Sequence, residues 1–207
     1  NFSAAVTLNN KIYVPGGANE NGTKTNQVKV YDKSAGTWST ITMNKSRDYP
    51  IAEVAKDNAG VENVYVMGGD GSSNVIEKYN PNTNTWTVSN GSTFAHMPHN
   101  ATKAFSGTVN NNIYVIGGWK DDIVNETFNV SSSWTPNTVI ANSWGEVEKT
   151  IVNLKTPFAA VSDSNGLIYV VGGIDSSGNK TDKVSRYNSN TNSWSAMTSM
   201  NSIREAP

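Results

Sequence analysis

The chain contains two histidines, and both fall in one short phrase, His96-Met-Pro-His99. Paired imidazoles suggest a metal site, but a loop containing proline imposes no common face on them, unlike a helical pair four residues apart, and no third ligand stands nearby in sequence. His99 titrates near neutrality and could serve as a general acid or base, although no sequence partner orients it. Acid/base pairs could also come from Asp70, Asp175 and Glu205, provided the fold brings carboxyl groups to bond-cleaving separations. The chain has no cysteine, which excludes thiolate zinc sites, disulfides and cysteine nucleophiles together. Gly-Gly pairs occur, but without the following Lys-Ser/Thr and helix of a phosphate loop. The reading is of a chain without a metal or other cofactor.

These residues belong to a repeating frame. Ile12-Tyr-Val-Pro-Gly-Gly17, Val64-Tyr-Val-Met-Gly-Gly69, Ile113-Tyr-Val-Ile-Gly-Gly118 and Ile168-Tyr-Val-Val-Gly-Gly173 are four copies of one phrase. Their first glycines are spaced by 52, 49 and 55 residues, the period of a repeat architecture. After each copy an aromatic residue precedes a tryptophan across a polar turn: Tyr31/Trp38, Tyr79/Trp86, Phe128/Trp134 and Tyr187/Trp194. The intervening Asn-, Pro-, Ser- and Thr-rich residues are hairpin chemistry. Ahead of each copy lies a short apolar strand, within 4–8, 51–55, 104–109 and 158–162, joined to it through Asn, Asp or Gly. Each repeat therefore reads as four consecutive antiparallel strands. The paired glycines predict positive φ and close approach by a bulky neighbour, for which the Tyr and Trp side chains are the natural candidates. No stretch carries a helical stripe, so the chain is predicted to be all-β.

The pattern resembles the kelch repeat, whose marks are a strand ending in Gly-Gly and a later Tyr/Trp pair, one four-stranded blade per repeat. The resemblance covers nearly the whole chain and implies a single β-propeller domain over 1–207, with blades near 1–45, 46–92, 93–150 and 151–207. The third repeat departs most: Phe128 replaces Tyr, its turn is one residue shorter, and a longer stretch containing Trp144 predicts an elaborated outer edge. Arg204-Glu-Ala-Pro207 echoes Arg47-Asp-Tyr-Pro50, which opens the second repeat. Two arrangements fit: a closed four-bladed ring, or four blades of a larger propeller.

In kelch proteins ligands usually meet one mouth of the ring, formed by the loops after Gly-Gly and the turns leading into each innermost strand. By position, that implies Ala18, Asn19, Asp70, Gly71, Trp119, Lys120, Ile174 and Asp175 from the first set. The second set is Arg47, Asp48, Tyr49, His99, Asn100, Thr156, Pro157, Arg204 and Glu205. Trp119 with Arg47, Tyr49, His99 and Arg204 would form an aromatic and cationic pocket suited to a sugar face or an acidic peptide.

A net charge of −1 with 16% charged residues supplies no basic surplus for a nucleic-acid partner, and no apolar run is long enough to span a membrane. The Asn-rich, polar and low-charge composition and a first residue other than Met suggest an extracellular or cell-surface protein. Together these point to a non-catalytic module that recognises a protein or glycan at the mouth, with room for further domains or blades of a larger chain. The rival reading is a small sugar-active enzyme resembling a kelch-fold sialic-acid mutarotase. Copper-dependent oxidase chemistry of the galactose oxidase type requires a cysteine-linked tyrosine and is excluded.

Overall fold

In a computed structural model, the described residues are 3–71, 74–90, 96–97, 100–116, 125–129, 154–175 and 177–203. They form fifteen strands in four antiparallel sheets and contain no helix. The first sheet is β1 (Val6–Leu8), β2 (Lys11–Pro15), β3 (Gln27–Asp32) and β4 (Thr37–Thr42), paired in chain order. The second repeats this with β5 (Ile51–Lys56), β6 (Glu62–Met67), β7 (Ile76–Asn80) and β8 (Thr85–Val88). The third consists of β9 (Phe105–Val109), β10 (Asn112–Ile116) and β11 (Asn125–Asn129); its fourth strand would fall on Trp134 and, like the stretch around Trp144, lies outside the described residues. The fourth comprises β12 (Leu154–Ser162), β13 (Leu167–Asp175), β14 (Lys180–Asn188) and β15 (Ser193–Met197).

Local chemistry explains the hairpins. Asn9-Asn10 and Asn110-Asn111 join the first two strands of their sheets with both residues at positive φ, the type I′ geometry whose twist matches the flanking strands. In the outer hairpins of the second and fourth blades a left-handed Asn, Asn84 or Asn192, accepts a hydrogen bond from the tyrosine hydroxyl of the pair, Tyr79 at 2.9 Å and Tyr187 at 2.6 Å. The expected pairs lie directly opposite one another across the ladder, Tyr31 with Trp38, Tyr79 with Trp86 and Tyr187 with Trp194, with ring centroids 5.0–5.3 Å apart.

The blades stack through their innermost strands in chain order, β1 on β5, β5 on β9 and β9 on β12. The apolar core is accordingly divided among three joints. Tyr13, Val28, Val30 and Met43 of the first blade meet Val64, Val66 and Tyr79 of the second. Tyr65 and Met67 meet Ile113 and Val115, and Tyr114 and Ile116 meet Ile168, Tyr187 and Trp194. Tyr13 lies 5.8 Å from Tyr79, and Tyr114 lies 5.5 Å from Tyr187, so the same ring contact recurs at two joints. Each buried aromatic removes roughly 150–250 Å² from water, which lets a joint hold two small sheets together without a central core.

The glycine neighbour differs from the expectation. A Cβ on Gly16 would lie 2.5 Å from the Arg47 carbonyl oxygen, and one on Gly68 would lie 2.1 Å from that of Ala101. The close approach is made by the backbone of the linker entering the next blade, whose carbonyls accept from Gly17 N and Gly69 N at 2.9 and 2.7 Å. The Gly-Gly phrase is thus the socket for the interblade linker, while the aromatics fill the sheet faces.

Candidate functional site

The hydrogen bonds from Gly17 and Gly69 bring the first two post-glycine loops against the linkers that follow their blades, so Ala18, Asn19, Asp70 and Gly71 gather with Asp48 and Tyr49 at one end of the stack. There Asp48 and Asp70 exchange backbone hydrogen bonds, Asp48 N to Asp70 O at 3.2 Å and Asp70 N to Asp48 O at 2.7 Å. The Asp70 carboxylate pairs with Lys24 Nζ of the first blade at 2.7 Å. Both side chains are well exposed, so the pair contributes under about 1 kcal/mol and remains open to exchange for a ligand. Asp48 accepts from Tyr49 N through Oδ1 at 3.0 Å, and the Tyr49 ring lies beneath the Lys103 ammonium, 4.6 Å from its centroid. Lys24, Asp70, Asp48, Tyr49 and Lys103 therefore form a continuous strip across three blades.

Tyr49 and Lys103 hold φ of +52° and +58°. They occupy the same place in successive linkers, two residues after the carbonyl that the glycine socket holds. A non-glycine residue in this region is uncommon and persists where the surroundings fix it. The strained turn sends the chain into the innermost strand, so successive linkers present adjacent residues to the same end.

The other expected residues distribute unevenly. Arg47, expected as a cationic ligand group, is a correction: its side chain is fully buried. Its Nη1 donates to the carbonyls of Gly68 and Val75 at 2.7 and 3.0 Å, and its Nη2 donates to Glu77 Oε1 at 2.8 Å. Glu77 also accepts from Asn44 N, Asn44 Nδ2 and Lys45 N, so the linker is clasped onto the second blade. Desolvation pulls the Arg47 pKa below its ordinary value while Glu77 opposes that shift. Asp175 stands at the end of β13, its Oδ1 accepting from Ser177 N and Asn179 N at 2.9 and 2.8 Å, which closes a turn. Asn19 closes the corresponding turn of the first blade, accepting from Asn21 N and Thr23 N. Thr156 and Pro157 were expected in a turn; instead they are paired in β12 with Ile174 and Gly173, because β13 continues through Gly173 by way of a bulge in its ladder with β14. His99, Trp119, Lys120, Arg204 and Glu205 lie outside the described residues.

His96 Nδ1 shares a hydrogen bond of 2.8 Å with the Ser89 hydroxyl. Among the described residues no three His, Asp or Glu side chains come close enough to hold a metal ion. What the strip offers is an aromatic face, two ammonium groups and two carboxylates, a set suited to reversible binding of a polar or acidic ligand.

Comparison with known sequences decides the family. The KLHDC2/KLHL20/DRC7 Kelch-repeats domain matches residues 2–206. The chain belongs to the kelch-repeat family. It is 29% identical over 189 residues to the Kelch-like protein terF of Aspergillus terreus (strain NIH 2624 / FGSC A1156), a match that takes in 82% of this chain and 39% of that protein. Among solved structures, YjhT superposes with a TM-score of 0.63 at 16% identity over 97% of this chain and 66% of the other. The chain thus spans less than half the length of the curated kelch relative and two thirds of the YjhT chain, and the shared feature is the kelch propeller fold.

Proposed function

We propose that this kelch domain is a non-catalytic recognition module, working outside the cell or at its surface, that binds an acidic protein segment or a glycan at the linker end of its blades. The observation that carries the reading is the strip formed by Lys24, Asp70, Tyr49 and Lys103. It combines a ring face with two ammonium groups on loops fixed by the glycine sockets. Loops held by a rigid scaffold are the usual place for binding groups. The carboxylates of Asp48 and Asp70 can accept from sugar hydroxyls, while the ammonium groups meet acidic substituents. The Asn-rich, low-charge composition supports the extracellular setting.

The test is an array of acidic peptides and of neutral and acidic glycans probed with the parent chain, Tyr49→Ala and Lys103→Ala. Binding of one ligand class, weakened about tenfold or more in both variants at unchanged thermal stability, supports the proposal. Equal binding by all three chains refutes it. Anomerisation of a sugar by the parent chain, abolished in Asp70→Asn, would replace recognition by catalysis as the activity.

A further inference from the structure

An outer strand has one side of its backbone turned to solvent, and natural sheets protect such edges with short strands, lysines, prolines or bulges. β4, Thr37-Trp-Ser-Thr-Ile-Thr42, carries none of these devices. It has six residues, against four in β8 and five in β15, and all but Ile41 are exposed. Trp38 is 61% exposed, whereas Trp86 and Trp194 are held within the joints.

The phase of the ladder with β3 decides which backbone groups point outward. Antiparallel pairs alternate between those that exchange hydrogen bonds and those that do not. Met43 N donates to Asn26 O, so the pairs two and four residues along, Ile41 with Val28 and Ser39 with Val30, are the bonded ones. On the inner side Gly16 N donates to Gln27 O, which turns Gln27, Lys29 and Tyr31 toward β2 and leaves Val28 and Val30 for β4. The N–H and C=O groups of Trp38, Thr40 and Thr42 therefore point out from the sheet edge.

We propose that β4 pairs antiparallel with β4 of a second copy about a two-fold axis at Thr40, joining two four-stranded first blades into one continuous sheet. In this register every outward residue finds an outward partner: Trp38 with Thr42, Thr40 with Thr40 and Thr42 with Trp38, each pair exchanging two main-chain hydrogen bonds. The strand is its own complement. Threonine meets threonine at the axis, the indole lies across a threonine methyl, and no charged side chain enters the pairing. Lys29 sits one strand back, opposite Thr40, and donates to its hydroxyl at 3.0 Å. The two copies of Lys29 would stand three strand spacings apart, about 14 Å, beyond a Debye length of about 8 Å. The contact uses the rim of the blade, where neighbouring blades do not pack. Thr42 leads into the linker and the 33–36 turn precedes Thr37, so the two copies present their linker ends in opposite directions. An edge about 20 Å long lies at the small end of interfaces, so the dimer is weak and concentration-dependent.

Sedimentation of the parent chain tests this, its mean mass expected to climb toward twice the monomer value with a midpoint near about 100 µM. Thr40→Pro removes an outward donor without touching the ladder with β3, so it should keep the parental thermal midpoint and weaken association about tenfold or more. Thr40→Lys crowds ammonium groups at the axis and should weaken association equally without constraining the backbone. Because the chain has no cysteine, single cysteines read the register. Thr40→Cys places two thiols at the axis with Cα atoms about 5.5 Å apart and should cross-link on mild oxidation. Ser39→Cys sets the Cα atoms about 8 Å apart and should cross-link about tenfold more slowly or less. A parent chain that stays monomeric up to about 1 mM, association unchanged in both Thr40→Pro and Thr40→Lys, or equal cross-linking by the two cysteines overturns the proposal.

Discussion

Removing the charge of Glu77 while keeping its shape should unfasten the clasp between the first two blades. Glu77 is fully buried and receives four donors, from Asn44 N, Asn44 Nδ2, Lys45 N and Arg47 Nη2, at 2.6–3.0 Å. In Glu77→Gln one oxygen becomes an amide facing donors, so at least one buried N–H loses its acceptor, at about 1–3 kcal/mol. Arg47 is also left charged and buried without a counter-ion, and breaking such a pair typically costs about 3–5 kcal/mol. These losses overlap, and about 4 kcal/mol is the expected total. At about 2–4 °C per kcal/mol for a chain of this size, the midpoint should fall by about 10 °C. Arg47→Met leaves the buried carboxylate without its counter-ion and takes a donor from the Gly68 and Val75 carbonyls, so it too should cost about 4 kcal/mol. The double variant should cost less than the sum by about 2 kcal/mol, since the pair is lost once. Thermal unfolding followed by circular dichroism at pH 7 measures all three. A Glu77→Gln cost within about 0.5 kcal/mol of zero, the range of ordinary surface changes, or strict additivity in the double variant, would refute the clasp.

Three further outcomes are expected. Gly68→Ala places a Cβ 2.1 Å from the Ala101 carbonyl oxygen at a φ of +59°, and should cost more than about 3 kcal/mol by thermal unfolding. Gly60→Ala, at a φ of +77° with nothing within 4 Å, should cost only about 1 kcal/mol. Trp86→Ala empties the first joint at about 3 kcal/mol, whereas Trp38→Ala on the uncovered face should stay below about 1 kcal/mol in denaturant titration. Burial lifts the Glu53 carboxyl above its ordinary 4.5, against hydrogen bonds from Ser106 and Thr108. Its folded form holds the proton more tightly than the unfolded chain, so the stability it contributes is present below pH 4.5 and is lost as pH rises through the folded value. Glu53→Gln should therefore raise the midpoint at pH 7 and leave it unchanged near pH 4.

The repeated phrases made the sheets legible because strand alternation and turn chemistry are local. Ile12 to Gly17 and its three counterparts announce β2, β6, β10 and β13, and Tyr79 with Trp86 or Tyr187 with Trp194 announces the outer hairpins. What sequence reasoning missed is what one blade does to the next. Arg47 reads as a mouth cation, and only its reach to Glu77, thirty residues away, turns it inward; the signal was the Met-Asn-x-x-Arg phrase shared by 43–47 and 200–204. Lys103 escaped notice because counting back from Gly-Gly misplaces it: the turn at 57–61 is longer than Asn110-Asn111. Counting forward from the socketed carbonyl, Arg47 or Ala101, places Tyr49 and Lys103 together. The extension of β12 and β13 through Thr156 and Ile174 depends on a bulge after Val171, for which a run of apolar and small residues gives no warning.

The account as a whole depends on blades meeting face to face through equivalent tyrosines. Ring-proton nuclear Overhauser contacts in a tyrosine-labelled sample measure this directly, at centroid separations of 5.8 Å for Tyr13 and Tyr79 and 5.5 Å for Tyr114 and Tyr187. Cross-peaks within both pairs are predicted. Spectra in which each of these rings contacts only protons of its own repeat would contradict the stacked-blade arrangement.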